Sequence, residues 1–291
     1  MKRSAEKIQI ARFDDLFGGM ESENERIIHV KLSDLHTFHD HPFKVKDDEK
    51  MEETVESIKQ YGVLVPGIVR VRKQGGYEII SGHRRKRGSE LAGLEEMPVI
   101  VRDLTDDEAK IILVDANIQR ENLDYSEKAF AFKMKFEAMK HQGSRSGAIT
   151  TEMIGNEVGE SGRQIQRYIR LTQLLKPLLE FVDDKKIGFI PAVELSYLTE
   201  TEQKLLLHLI TEKHIFPNGG QSKQLRQYSN EGKLTEEVMD KVFTHIDNKK
   251  SGITLAMEKL NQYFPQDVTQ QEIETVIYEL LRKWKEGAKH E

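Results

Sequence analysis

The sequence predicts a multidomain α+β chain, with a small α/β unit first, an all-α helix-turn-helix domain second and a helical C-terminal region last. Three observations carry this. Short β-rich runs, one helix and a Gly-Gly turn crowd residues 27–101. Beyond Thr105 the apolar residues recur at helical spacing, with a break at Gly143-Ser144-Arg145-Ser146-Gly147. The chain has 291 residues, 37% hydrophobic and 32% charged, enough for several small cores but not for one large one.

Composition narrows the function. A net charge of −5 excludes a general polyanion binder, so any nucleic-acid surface must be local. The absence of cysteine excludes disulfides, zinc ribbons and thiol catalysis, and suits a cytoplasmic protein. No apolar run approaches the ~20 residues that span a bilayer. The opening MKRSAEKIQIARFDD has no apolar signal-peptide core.

In order, residues 1–26 form an N-terminal arm, polar apart from Ile8, Ile10, Phe13, Leu16 and Phe17. It is either a flexible arm with a short amphipathic segment or a disordered terminus. Ile27-Ile28-His29-Val30 reads as a strand. His36, His39 and His41 follow at a spacing that matches no metal signature, so they are expected in a polar loop. Met51, Val55 and Ile58 put one face of a helix over 48–61, closed by Gly62. Ile68–Arg72 and Tyr77–Ile80 flank Gln74-Gly75-Gly76 as a hairpin, and Pro98–Val101 is a further strand.

Ser81-Gly82-His83-Arg84-Arg85-Lys86-Arg87-Gly88 sits between a strand and a helix. Free backbone N–H groups and the positive helix end there suit an anion. A solvated basic face would use the same residues. Thr105-Asp106-Asp107-Glu108 is a capping box, and its helix leads into Asn117-Ile118-Gln119-Arg120-Glu121-Asn122-Leu123, rich in ligands for phosphates, bases or Mg²⁺. Ser126 is expected to cap the helix 127–141.

Ile149, Met153, Ile154 and Val158 fit one short helix, Gly159 a tight turn, and Ser161 the cap of a second helix with Ile165, Tyr168, Ile169 and Thr172 as its buried stripe. Arg163, Arg167 and Arg170 then share a face, flanked by Gln164 and Gln166. That is the pattern of a helix-turn-helix with a recognition helix. An ordinary helical hairpin is the alternative. Short helices fill 174–216, Pro217–Ser222 reads as a loop, and 234–247 and 251–264 as two helices. A Thr269-x-x-Glu272 capping box starts a last helix with an apolar stripe of Ile273, Val276, Ile277, Leu280, Leu281 and Trp284. Such a stripe packs on its own chain or meets a partner.

These segments, in this order, resemble the ParB family of chromosome and plasmid partition proteins and their transposon-borne relatives over about residues 27–216. Ser81–Arg87 is similar to the family's GERRxR box. Asn117–Ala129 is similar to its ENxQRxxLxPxExA box, and the segment ending Arg167-Tyr168-Ile169-Arg170-Leu171 to its DNA-reading helix. The resemblance implies a ParB-like, sulfiredoxin-like nucleotide-binding domain at 27–142, a DNA-binding domain at 143–230 and a helical region at 231–291 for dimerisation. It implies a homodimeric, CTP-dependent clamp on double-stranded DNA that loads at a palindromic centromere-like site, on the nucleoid. CTP with Mg²⁺ would be held by Pro66, Gly82, His83, Arg84, Arg85, Arg87, Asn117, Gln119, Arg120 and Glu121, the metal bridging phosphates rather than bound by protein alone. DNA would meet Ser161, Arg163, Gln164, Gln166, Arg167 and Arg170. A ParA-like ATPase would touch the N-terminal arm, with Arg12 the contact.

Three departures stand out. His83 and Ala116 occupy positions where the family has glutamates, and Tyr125 replaces a proline. Losing carboxylates removes a metal ligand or water-orienting group, so CTP binding is expected while CTPase activity stays open. The same departures favour an alternative, a transcriptional repressor of this fold without nucleotide switching. An enzyme of sulfiredoxin or nuclease type is disfavoured by the missing cysteine and by the lack of a carboxylate cluster.

Overall fold

A computed structural model describes residues 26–120, 122–143, 147–244, 263–264 and 268–287. The arm with Arg12, Glu121, residues 251–262 of the helix expected at 251–264 and the Trp284 side chain lie outside the described residues. The chain divides into two compact units, Met1–Phe243 and Thr244–Glu291.

The first unit begins with a mixed sheet ordered β1-β5-β3-β4-β2, which establishes the α+β class. The strands are β1 (Ile27–Lys31), β2 (Leu35–Thr37), β3 (Gly67–Val71), β4 (Tyr77–Ser81) and β5 (Glu96–Val101). The hairpin expected at Gly75-Gly76 forms: β3 and β4 run antiparallel, with Gly75 at φ +91° and Gly76 at +72°. β2 corrects the expectation of a loop around the histidines, because Leu35-His36-Thr37 pairs in parallel with β4. Alternation along the strands divides the apolar residues between two faces. Ile68 and Ile80 pack with Leu113, Val114, Ala131 and Met134, while Val69 and Ile79 pack with Val30, Leu35, Met97 and Val99.

Helix α1 (Glu49–Tyr61) is capped by Asp48, whose carboxylate accepts from Met51 N, and buries Met51, Val55 and Ile58 as their spacing requires. Helix α2 (His83–Leu91) packs on it closely: a Cβ at Gly88 would sit 2.9 Å from Ile58 Cδ1. Helix α3 (Asp106–Ile118) starts at the Thr105–Glu108 capping box. Helix α4 (Tyr125–His141) is capped by Asp124 with Glu127, not by Ser126. The hydroxyl of Ser126 instead donates to Asp183 Oδ2 at 2.6 Å, a partner 57 residues away that no local pattern shows.

α5 (Gly147–Val158) and α6 (Gly162–Leu171) form the expected helical pair, and Ser161 caps α6 by accepting from Gln164 N. Ile154, Ile165 and Tyr168 pack with Phe132 of α4. Ile149 and Met153 are exposed, at 55% and 47%, while Thr150 and Thr151 are buried. The pair closes tightly because Gly155 has no side chain: a Cβ there would lie 2.5 Å from Glu160 O.

Around it gather α7 (Lys176–Asp183), α8 (Phe189–Leu195), α9 (Glu200–Lys213), α10 (Gly219–Asn230) and α11 (Glu236–Thr244). Leu171, Leu178, Leu195, Leu206 and Leu225 share one core, each worth about 1.5–3 kcal/mol on burial. The loop expected at 217–222 is the start of α10, because Asn218 and Gln221 form a capping box over Gly219-Gly220. In the second unit, α12 (Gln270–Gly287) begins at the Thr269–Glu272 box. Ile273 is buried, and Val276, Leu280 and Leu281 are exposed. No helix among the described residues is long and apolar enough to cross a membrane.

Candidate anion pocket and nucleic-acid interface

β4 delivers Ser81 and Gly82 to the start of α2, where Gly82 adopts φ +115°. Only glycine takes that conformation without strain, and a Cβ would also meet Gly67 Cα at 3.2 Å. A cavity of about 270 Å³ opens there. It is lined by His41, Val45 and Ser81, by Gly82, His83, Arg84 and Arg85, and by Ala116, Asn117 and Arg120. Two boxes more than thirty residues apart in sequence thus meet, and no acidic side chain lines the cavity among the described residues.

The cations are not equally available. Arg84 pairs with Asp48 at 3.0 Å. Arg87 points away from the cavity to Asp47 (2.6 Å) and Glu90, its guanidinium held more basic than usual mainly by the Asp47 hydrogen bond. Arg85 donates to the carbonyls of Val65 (2.7 Å) and Pro66 (2.5 Å), and burial pushes its pKa down. Pro66 therefore enters the site as a carbonyl that holds Arg85. Asn117 lies in the last turn of α3 with its amide donating to Leu113 O at 2.8 Å, not in a loop. Gln119 is exposed outside the lining residues.

His41 is the residue that sequence reasoning missed. It arrives from the loop before α1, and its ring centroid lies 3.9 Å from that of His83. Burial pushes the His83 imidazole down to about 3, with His41, Lys86 and Arg85 adding to the effect. His41 is also lowered by burial, against a hydrogen bond to Phe43 O. No sequence signal links the two histidines beyond their both being histidines. A larger hollow of about 930 Å³, which shares His41 with the first, lies between the 38–44 loop, α3, α4 and α7. Its Lys44, Lys133 and Lys176 stand beside Glu137, Glu180 and Asp183, so its charges compensate one another.

On α6 the predicted residues separate. Ser161, Arg163 and Gln166 are exposed, Gln164 and Arg167 half-buried. Arg167 reaches Gln164 Oε1 at 3.4 Å, and Gln166 donates to Thr151 Oγ1 at 3.3 Å. Arg170 leaves the shared face. It donates to Ser196 O at 2.8 Å and stacks on Tyr197, whose other neighbour is Arg226. One residue ties the two regions together: buried Lys135 of α4 donates to Asp115 of α3 and to Glu157 of α5. Histidine, cysteine and acidic side chains form no metal-holding group of three among the described residues.

The chain thus has a cation-lined cavity at the C-terminal end of β4 and a pair of short helices, α5 and α6. Residues 19–118 match the family model of the ParB N-terminal domain. Stage 0 sporulation protein J of Bacillus subtilis is 34% identical over 57% of this chain and 56% of its own length. A nucleoid occlusion protein of Listeria monocytogenes is 30% identical over 70% of this chain and 68% of its own. The chain belongs to the ParB family. It spans little more than half the length of the Bacillus relative. Two solved structures of the C-terminally truncated chromosome-partitioning protein ParB from Caulobacter crescentus are also similar. The one complexed to the centromeric parS site is 23% identical, covering 69% of this chain and 98% of its own, at a TM-score of 0.42. The one complexed with CTP-gamma-S is 26% identical, covering 64% and 99%, at 0.31.

Proposed function

We propose that this is a site-specific, DNA-binding partition protein whose grip on duplex DNA answers to CTP. The observation that carries the reading is the cavity that gathers Gly82, His83, Arg84 and Arg85 with Asn117 and Arg120. The nucleotide fits as far as its phosphates. A cavity of about 270 Å³ is slightly smaller than the 300–1,000 Å³ usual for a whole ligand, so the base would extend past its rim. Arg120 has no ion pair among the described residues and is the cation best placed to hold phosphate oxygens. With no acid in the wall, Mg²⁺ would be held through the phosphates, where it screens their charge.

DNA would lie along α6, with Arg163 and Arg167 reading base edges or phosphates and Ser161, Gln164 and Gln166 beside them. Arg170 would position the helix rather than touch DNA, because its donors serve Ser196. Lys135 links α3, which ends at the cavity, to α5, the partner of the reading helix. The division into 27–142 for nucleotide and 143–230 for DNA follows from these roles. The exposed Val276, Leu280 and Leu281 of α12 suit a homodimer. A ParA-like ATPase at the arm, and a place on the nucleoid, follow from the family alone.

The experiment is a titration of CTP with Mg²⁺ into the full chain, with and without DNA selected by the protein from a random duplex pool. Saturable heat with CTP, absent for the other nucleotides and lost in Arg85→Ala while DNA selection persists, is the expected result. A second reading is a repressor without nucleotide switching. The carboxylates already seated on Arg84 and Arg87 favour it. Flat titrations with intact DNA binding would select it.

A further inference from the structure

Two residues that line the cavity, His41 and His83, each carry a buried Nε2 with no hydrogen-bond partner among the described residues. His41 Nδ1 lies 2.7 Å from Phe43 O. A carbonyl can only accept, so the neutral ring carries its proton on Nδ1 and presents Nε2 as a bare lone pair. The rings are 3.9 Å apart and tilted by 50°, so the pair shares one desolvated environment. Around it stand Arg84, Arg85 and Lys86 on α2, Arg120 beyond α3, and Glu127 on α4. Of these Arg84 is paired with Asp48 and Lys86 with Glu90. Burial and this surplus of cations keep both imidazoles neutral in the free protein.

A triphosphate reverses the field. Its oxygens are acceptors, and an acceptor repels a bare lone pair; a proton on Nε2 turns that repulsion into a charge-assisted hydrogen bond. We propose that the anion site is proton-coupled: a nucleoside triphosphate binds together with one proton, which the His41–His83 pair takes up on a buried Nε2 edge. This rests on the nucleotide reading above. The proton belongs to the pair rather than to one ring, since two charged imidazoles at this separation would repel. It comes from solvent and returns there when the ligand leaves. The site therefore recognises the anion with a positive charge that exists only in the complex, where the family pattern has a carboxylate.

The sign follows from linkage. The complex holds a proton that the free protein lacks, so affinity rises as pH falls, from the raised value in the complex down towards the free-state values. Those lie below 6.5 for His41 and at about 3 for His83.

The test is calorimetric titration of CTP with Mg²⁺ into the full chain at about pH 7, in buffers of different ionisation enthalpy, repeated between about pH 6 and 8. The slope of observed against buffer enthalpy counts protons. The expected result is uptake approaching one proton, with affinity rising up to about tenfold per unit fall in pH. Titration of the phosphate itself gives release instead, so the sign separates the two sources. In His83→Gln and His41→Gln the uptake disappears. Saturable CTP binding with zero or negative slope in the unaltered protein overturns the proposal and leaves the nucleotide reading standing. Uptake that survives in either variant also overturns it, since the proton then does not belong to the pair. Absence of CTP binding at every pH, checked by equilibrium dialysis, removes both readings. The unaltered chain alone decides the matter if a variant fails to fold.

Discussion

The basic box at the start of α2 and the arginine row of α6 read alike in sequence, yet the fold treats their charges differently. On α2 the guanidiniums are largely spoken for: Arg84 by Asp48, Arg87 by Asp47, Arg85 by two carbonyls. On α6 Arg163 is exposed and Arg167 makes one long contact, while only Arg170 is locked. A cation run is thus a count of charges, not of available donors. A pocket whose cations are pre-paired is shaped before a ligand arrives, whereas a surface row stays free for a polyanion and is more exposed to salt.

The comparison breaks most severely at the cores beneath the two regions. Ile80→Ala on β4 and Ile165→Ala on α6 should each lose about 2–5 kcal/mol in denaturant melts, both positions being essentially without exposed surface. A loss below about 1 kcal/mol at either would mean that its neighbours refill the space. Next comes Gly82→Ala. The positive φ and the approach of Gly67 should cost about 1–3 kcal/mol and abolish the CTP heat, with DNA binding kept. An unchanged CTP isotherm would detach the pocket from the box.

Arg167→Ala and Arg170→Ala sharpen the contrast within α6. Removing Arg167 should cost about 1–3 kcal/mol of DNA binding, measured by gel shift, without lowering the melting temperature. Removing Arg170 should cost stability as well, by about 1 kcal/mol, because Ser196 O loses its donor and Tyr197 one of its two cations. Equal effects from the two would restore the shared arginine face.

The smallest effect concerns acid. The Arg84 hydrogen bond holds the Asp48 carboxyl below its ordinary 3.8. A depressed carboxylate contributes stability above pH 3.8, and that contribution is lost as pH falls through the lower folded-state value. In Arg84→Ala the stability curve should differ from the parent above that window and converge with it below. Parallel curves throughout would show that the pair contributes nothing.

Much of the molecule could be read without its coordinates. Caps at Thr105, Ser161 and Thr269, the Gly-Gly hairpin and the stripe Met51, Val55, Ile58 are decided within one or two turns of chain, so residue order suffices. Ser126 does not cap its helix because Asp124, two residues earlier, competes for the same role and wins with Glu127. Ile149 and Met153 follow helical spacing but face solvent; periodicity names a stripe and cannot say whether anything covers it. The candidate site divides the same way. Its glycine and its cations were visible as a motif, and Asn117 and Arg120 as a second one.

By itself, then, the sequence determined the α+β class, most of the order of elements and the two ligand-rich boxes, because each depends on neighbours a few residues apart. Tertiary structure alone decided which arginines are free, that Lys44 N reaches Glu127 across 83 residues, and that His41 meets His83. Those contacts depend on how elements pack, and packing is settled by excluded volume and long-range charge pairing that no short window of sequence contains.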